Sequence, residues 1–162
     1  MRWIRYQYGG SNSYGIVEGD KVEQVSGDPF DGYNRTGHKL PLSAVQIRIP
    51  FEPRTFYAAG INYEEHVREA AALLGREPDL PEKADVAYRP NNALIAHDEP
   101  IIIPKDATER VQYEGELVVV IGKRVKHVTE ADAFDCILGY TVGNDVSERT
   151  WQAADRTMWR SK

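Results

Sequence analysis

The segment Glu116 to Ile121 (ELVVVI) most constrains how this chain folds. It is a short apolar run rich in β-branched residues, too brief for a buried helix, and Gly122 closes it. Such a run predicts a buried strand. A buried strand needs partners, and the chain offers several. Arg2 to Tyr6 alternates, Tyr14 to Val17 resumes after a Gly9–Gly10 turn, and Val45 to Ile49 ends at Pro50. Thr55 to Ala59 and Ile137 to Val142 read as further strands, and Ala93–Ile95 and Ile101–Ile103 as short apolar runs. Gly27 to His38 reads as loop. Two prolines bracketing Phe51–Glu52 divide the chain into a small N-terminal β unit, 1–52, and a larger part, 53–162.

One helix is well marked. Asn62 suits an N-cap and Glu65 follows three residues later. Val67, Ala70, Ala71 and Leu74 keep helical spacing up to Gly75, the expected stop. Thr129 with Asp132 suggests a short second helix, and Trp151, Ala154 and Met158 share a face if Ser147 to Trp159 is helical.

Composition narrows the function classes. The net charge of −5 and the lack of any basic run speak against nucleic acid or an anionic membrane as partner. Cys136 is the single cysteine, so no internal disulfide framework exists and a reducing, cytoplasmic setting is expected. The N-terminal stretch lacks the apolar core of a secretory signal, and no apolar run is long enough to span a bilayer. Phosphate-loop, dinucleotide-binding and nucleophile-elbow patterns are all missing.

Glu114 and Glu116 flank Gly115 at the start of the apolar strand. Residues i and i+2 of a strand share a face, so the two carboxylates stand side by side. Like charges so placed repel unless a proton or a cation sits between them. A solvated strand end fits the same pattern. Asp145, in Gly143–Ser147 (GNDVS), adds a third carboxylate or serves as a turn or cap residue. Three oxygen ligands without Cys or His suit Mg²⁺, Mn²⁺ or Ca²⁺ and do not suit zinc. His66 and Glu69 are i, i+3 on the marked helix. They form either an oriented general base or a surface ion pair. Arg149, Gln152 and Lys162 carry no signal by themselves.

Five blocks in order resemble the fumarylacetoacetate hydrolase superfamily: YAAGINYEEHVREA, RPNNALIAHDEPIIIP, VQYEGELVVVIGK, EADAFDCILGYTVGNDVSERTWQ and the final WRSK. The resemblance runs from about Thr55 to Lys162. It implies an α+β, β-rich fold, a mixed β-sheet roll following a small N-terminal β unit, and a homodimer. It also implies that Glu114, Glu116 and Asp145 hold Mg²⁺ or Mn²⁺. His66 and Glu69 would be the catalytic dyad with Lys162 as a third catalytic group, and Arg149 and Gln152 would lie at the substrate. The implied activity is metal-dependent hydrolysis of a C–C bond in an acylpyruvate or 1,3-diketo acid, through an enolate. Decarboxylation or isomerisation of a 2-oxo-dioate from aromatic catabolism is the alternative, and a non-catalytic metal- or ligand-binding relative is a third reading. Arg89–Pro90, Asn92, His97 and Thr150 depart from the usual pattern, which leaves the metal site intact and the substrate open. Family members continue past the lysine, so the roll is expected to be incomplete at the C-terminus.

Overall fold

A computed structural model describes residues 1–155 and 161–162. The architecture is α+β and β-rich, and every described strand pairing is antiparallel. The residues form two compact units, one made of 1–51 with 95–162 and the other of 52–94.

In the first unit, β1 (Arg2–Tyr8), β2 (Ser11–Glu18), β3 (Lys21–Asp28), β4 (Gly32–Pro41) and β5 (Gln46–Arg48) form one sheet in the order β4-β3-β2-β1-β5. The β1–β2 hairpin turns on Gly9 and Gly10, at φ +56° and +82°. Two successive positive φ values are what a tight type I′ hairpin requires, and glycine takes them without steric cost. Alternation then turns Tyr6, Val22 and Leu40 inward to form a core, with Ile4 and Val45 packed against it. Complete burial of a side chain such as Val22 contributes on the order of 2 kcal/mol.

β4 corrects the loop expected over Gly27 to His38. Its polar residues fit an edge strand, which needs no apolar face where solvent covers it. A register shift between Glu23 and Val25 accommodates the irregular pairing. The buried Glu23 is neutralised there. Its Oε2 lies 2.8 Å from Arg35 Nη1, and its Oε1 accepts the Gly37 N–H at 3.3 Å. An unpaired charge at that depth would be costly.

The rest of this unit contains β8 (Val111–Gln112), β9 (Gly115–Ile121), β10 (Ile137–Asn144), β11 (Ser147–Glu148) and α2 (Arg149–Ala154). β9 pairs with β10, and β8 with β11. The expectation that the whole run from Glu116 to Ile121 is buried does not hold. Val120 is 7% exposed, but Leu117 is 63% exposed, and Val119 and Ile121 are exposed too. The strand has one described partner and one uncovered face. On that face Leu117 lies across from Val142, and Val119 from Tyr140, all of them exposed. Thr129 does bond Asp132, its Oγ1 accepting the Asp132 N–H at 3.3 Å. A turn follows, and then a 3₁₀ segment, Phe134–Cys136, in place of an α-helix. Ser147 and Glu148 are extended, so α2 starts only at Arg149. Met158 and Trp159 of the expected helix lie outside the described residues. Ile101–Ile103 carries no regular structure and is exposed.

The second unit contains β6 (Phe56–Gly60), α1 (Glu64–Leu73) and β7 (Asp85–Arg89), with β6 paired to β7. β7 is a strand that the sequence pattern does not announce. α1 starts after Tyr63 with no side-chain cap, so Asn62 does not play the expected role. Glu64 and Glu65 in the first turn offset this by meeting the positive end of the helix dipole. Gly75 ends the helix as expected. At φ +63° it lets Arg76 N–H reach Ala71 O and its own N–H reach Ala72 O, the paired bonds of a Schellman motif. No helix among the described residues is long and apolar enough to cross a membrane.

Candidate active site

The β9–β10 ribbon sets the site. Gly143 faces Glu116 and Asn144 faces Gly115 across the pairing. A Cβ on Gly143 would stand 2.9 Å from Val118 Cγ2, so glycine keeps the strands close beside the carboxylates. Exposure alternates along the segment, with Glu114, Glu116, Val118 and Val120 on the less exposed side. Two bonds lock the loop after β10 to the residue before β9. Glu114 N–H donates to Asn144 Oδ1 at 3.1 Å, and Asp145 N–H donates to Glu114 O at 2.9 Å.

Both oxygens of Glu114 are engaged. Oε1 accepts the Ser147 hydroxyl at 2.8 Å and pairs with Arg149 Nη1. Oε2 lies 2.7 Å from Lys162 Nζ. The same ammonium stands 2.8 Å from Asp145 Oδ2, so Lys162 bridges two carboxylates, and only 4% of its side chain is exposed. Arg149 is held in turn by Gln112 Oε1 at 2.8 Å and Gln152 Oε1 at 2.9 Å. Burial pushes the Glu114 carboxyl up. Hydrogen bonds from Lys162 and Ser147, with the charges of Lys162 and Arg149, outweigh that and hold it below the usual carboxylate range.

The base of the site is braced by Glu148. Its Oε2 accepts the Trp151 N–H at 2.6 Å and caps α2, its Oε1 meets the Thr108 hydroxyl, and its N–H donates to Ser161 O at 2.9 Å. The last bond seats Ser161 and so delivers Lys162 to the carboxylates.

The fold thus brings Glu114, Asp145, Arg149, Gln152 and Lys162 into one network. Glu116 shares the strand face, and its carboxylate makes no hydrogen bond or ion pair among the described residues. His66 and Glu69 lie on α1 in the other unit. Both are exposed, and no hydrogen bond joins them. Sequence reasoning passed over Ser147, Asn144, Gln112 and Glu148. Ser147 and Asn144 were within sight, since they flank Asp145 in the same short motif.

The donors suit a hard divalent cation. They are partly buried carboxylates, and the space between two of them already attracts an ammonium. As arranged, no three acidic, histidine or cysteine side chains among the described residues are placed to hold one ion together.

Comparison with known proteins agrees with this architecture. The family profile described as fumarylacetoacetate (FAA) hydrolase C-terminal matches residues 55–162, and one described as Rv2993c-like, N-terminal matches residues 1–50. The chain belongs to the fumarylacetoacetate hydrolase family. It is 43% identical over 119 residues to the "fumarylacetoacetate hydrolase domain-containing protein 2 homolog" of Dictyostelium discoideum, covering 74% of this chain and 37% of that protein. It is 35% identical over 116 residues to "oxaloacetate tautomerase fahd2, mitochondrial" of Xenopus laevis, covering 71% of this chain and 34% of that protein. The crystal structure of "5-carboxymethyl-2-hydroxymuconate delta-isomerase" from Mycobacterium smegmatis is 36% identical. It superposes with a TM-score of 0.85, over 100% of this chain and 61% of that one. The chain therefore spans about a third to a half of the curated relatives' length.

Proposed function

We propose that the chain carries the site of an enzyme that works on a small 2-oxo acid through its enolate, by tautomerisation or isomerisation. One observation carries this reading. Lys162 and Arg149 converge on Glu114 beside Asp145, so fixed positive charge stands among partly buried carboxylates. Relatives named as an oxaloacetate tautomerase and a hydroxymuconate isomerase support the same chemistry.

Glu114, Glu116 and Asp145 would hold Mg²⁺ or Mn²⁺, which when bound supplies Lewis acidity towards the oxygens of a 2-oxo acid. The chain's own groups do the rest. Lys162 places a fixed ammonium where enolate charge develops, an electrostatic role. Arg149 presents a planar fork suited to a substrate carboxylate, and Gln112 and Gln152 fix its plane. Ser147 and Asn144 hold the carboxylate frame so that little reorganises during the reaction.

Hydrolytic C–C cleavage of an acylpyruvate is the second reading. It is favoured by His66 and Glu69, which lie one turn apart on α1 and would orient and activate water. The net charge of −5 and the single cysteine support a cytoplasmic protein acting on a small molecule and not on nucleic acid or membrane, and we take it to act as a homodimer.

The test is the Mg²⁺- or Mn²⁺-dependent change in enol absorbance with oxaloacetate and with an acylpyruvate, for wild type, Glu116→Ala and His66→Ala. Activity that survives His66→Ala and is lost in Glu116→Ala supports isomerisation. Loss in both, with acylpyruvate as substrate, supports hydrolysis. Activity unchanged in Glu116→Ala sinks both, and metal binding without activity on any 2-oxo acid points to a binding module.

A further inference from the structure

The Arg149 guanidinium carries N–H donors on three nitrogens, and two of those nitrogens are engaged inside the site. Nε donates to Gln112 Oε1 at 2.8 Å, and Nη1 donates to Gln152 Oε1 at 2.9 Å and to Glu114 Oε1. Nη2 meets no acceptor among the described residues. Arginine has donors only, so the Gln112 atom that faces it is the amide oxygen, and the amide nitrogen Nε2 is turned aside. Nε2 likewise meets no acceptor among the described residues. The backbone holds both side chains in place. Gln112 pairs with Ser147 across β8–β11, and Arg149 N–H donates to Arg110 O at 3.0 Å. Nη2 shares with Nε the edge of the guanidinium on which Gln112 sits, the edge that elsewhere grips a carboxylate with two parallel bonds. Gln112 and Tyr113 are exposed and line an open hollow with Val111, so a small anion can reach Gln112. Neither Nη2 nor Gln112 Nε2 is bonded to Glu114, Glu116 or Asp145, so an ion held there leaves both donors available.

We infer that Gln112 is a substrate-binding residue, whose amide Nε2 and Arg149 Nη2 together hold one carboxylate of the 2-oxo acid, one donor to each oxygen. The inference rests on the reading of the site as one for 2-oxo acids. With Nε and Nη1 engaged, the part of the Arg149 fork left for substrate is Nη2, and Gln112 supplies the second donor. Gln112 then has two separable duties. Its oxygen fixes the guanidinium, and its nitrogen binds the substrate. A glutamate in its place would keep the first duty, with a stronger charge-assisted bond to Nε. It would lose the second, and it would set a negative charge beside the substrate carboxylate.

The experiment measures KM and kcat of the whole chain with Mg²⁺ and oxaloacetate, or an acylpyruvate if only that is turned over, for wild type, Gln112→Glu and Gln112→Met. Both variants are expected to raise KM about tenfold or more with kcat within about threefold of wild type, the signature of lost binding that ground state and transition state share. A residue that only positions Arg149 behaves otherwise, because Gln112→Glu rescues it while Gln112→Met does not. Gln112→Glu equal to wild type, or a fall in kcat at unchanged KM, therefore overturns the inference and leaves the 2-oxo acid site standing. Wild type that neither turns over nor binds either compound overturns the inference and the site reading together. A wild-type measurement covers the case in which the variants fail to fold. The Gln112 side-chain amide resonance, followed by ¹H–¹⁵N NMR as the same compound is added, is expected to shift on binding. An unmoved resonance at saturation overturns the inference.

Discussion

Ser147 Oγ donates to Glu114 Oε1 at 2.8 Å and also reaches Asp145 O at 3.2 Å, so one buried hydroxyl ties the residue before β9 to the loop after β10. Ser147 is 0% exposed, so removing the hydroxyl takes a buried donor away from the Glu114 carboxylate. Ser147→Ala is expected to cost about 1.5 kcal/mol in urea unfolding, the usual value for a hydrogen bond to a charged group. It should also lower metal affinity. A variant as stable as wild type would show that the hydroxyl does not brace the carboxylate.

The β9 side chains should divide sharply by face. Val120→Ala opens a buried position and should cost about 1–2.5 kcal/mol. Leu117→Ala, at 63% exposure, should stay within about 0.5 kcal/mol of wild type. Parallel denaturant titrations check this. Equal costs would mean that the exposed face is covered in solution.

The period of two was legible where residue types alternate, as over Arg2 to Tyr6, and was hidden along Leu117–Ile121, where every residue is apolar and the exposed face looks like the buried one. The polar β4 was not legible, since an edge strand can be hydrophilic and is fixed by its pairing to β3. Asn62 looked like a cap, but the extended backbone that starts α1 falls on Tyr63. In the site, spacing could put Glu114 and Glu116 on one face. It could not show that Lys162, 48 residues from Glu114, would close on it, because that contact depends on the Glu148–Ser161 bond. The gap between His66 and Glu69 was equally invisible, since i, i+3 spacing permits a contact without requiring one.

Stability should fall on the acid side. Glu148, like Glu114, is pushed up by burial but held lower overall, here by bonds from the Thr108 hydroxyl and the Trp151 and Thr150 N–H groups. A carboxyl with a depressed folded value stabilises the fold above its unfolded value of 4.5, and the contribution is lost as pH falls through the folded value. Thermal midpoints should therefore be level above about pH 5 and drop steadily below about 4.5. Glu148→Gln should flatten that drop while lowering stability at neutral pH. An unchanged acid slope in the variant would contradict the assignment.

The cation site proposed for Glu114, Glu116 and Asp145 would serve enolate chemistry. It is tested most directly by proton exchange at C3 of a 2-oxo acid in D₂O with Mg²⁺, followed by NMR. Wild type should exchange the C3 protons well above the protein-free Mg²⁺ control, and Glu116→Gln should lose about 100-fold or more of that excess. Exchange in Glu116→Gln equal to wild type, or no excess over the control in wild type, would contradict it.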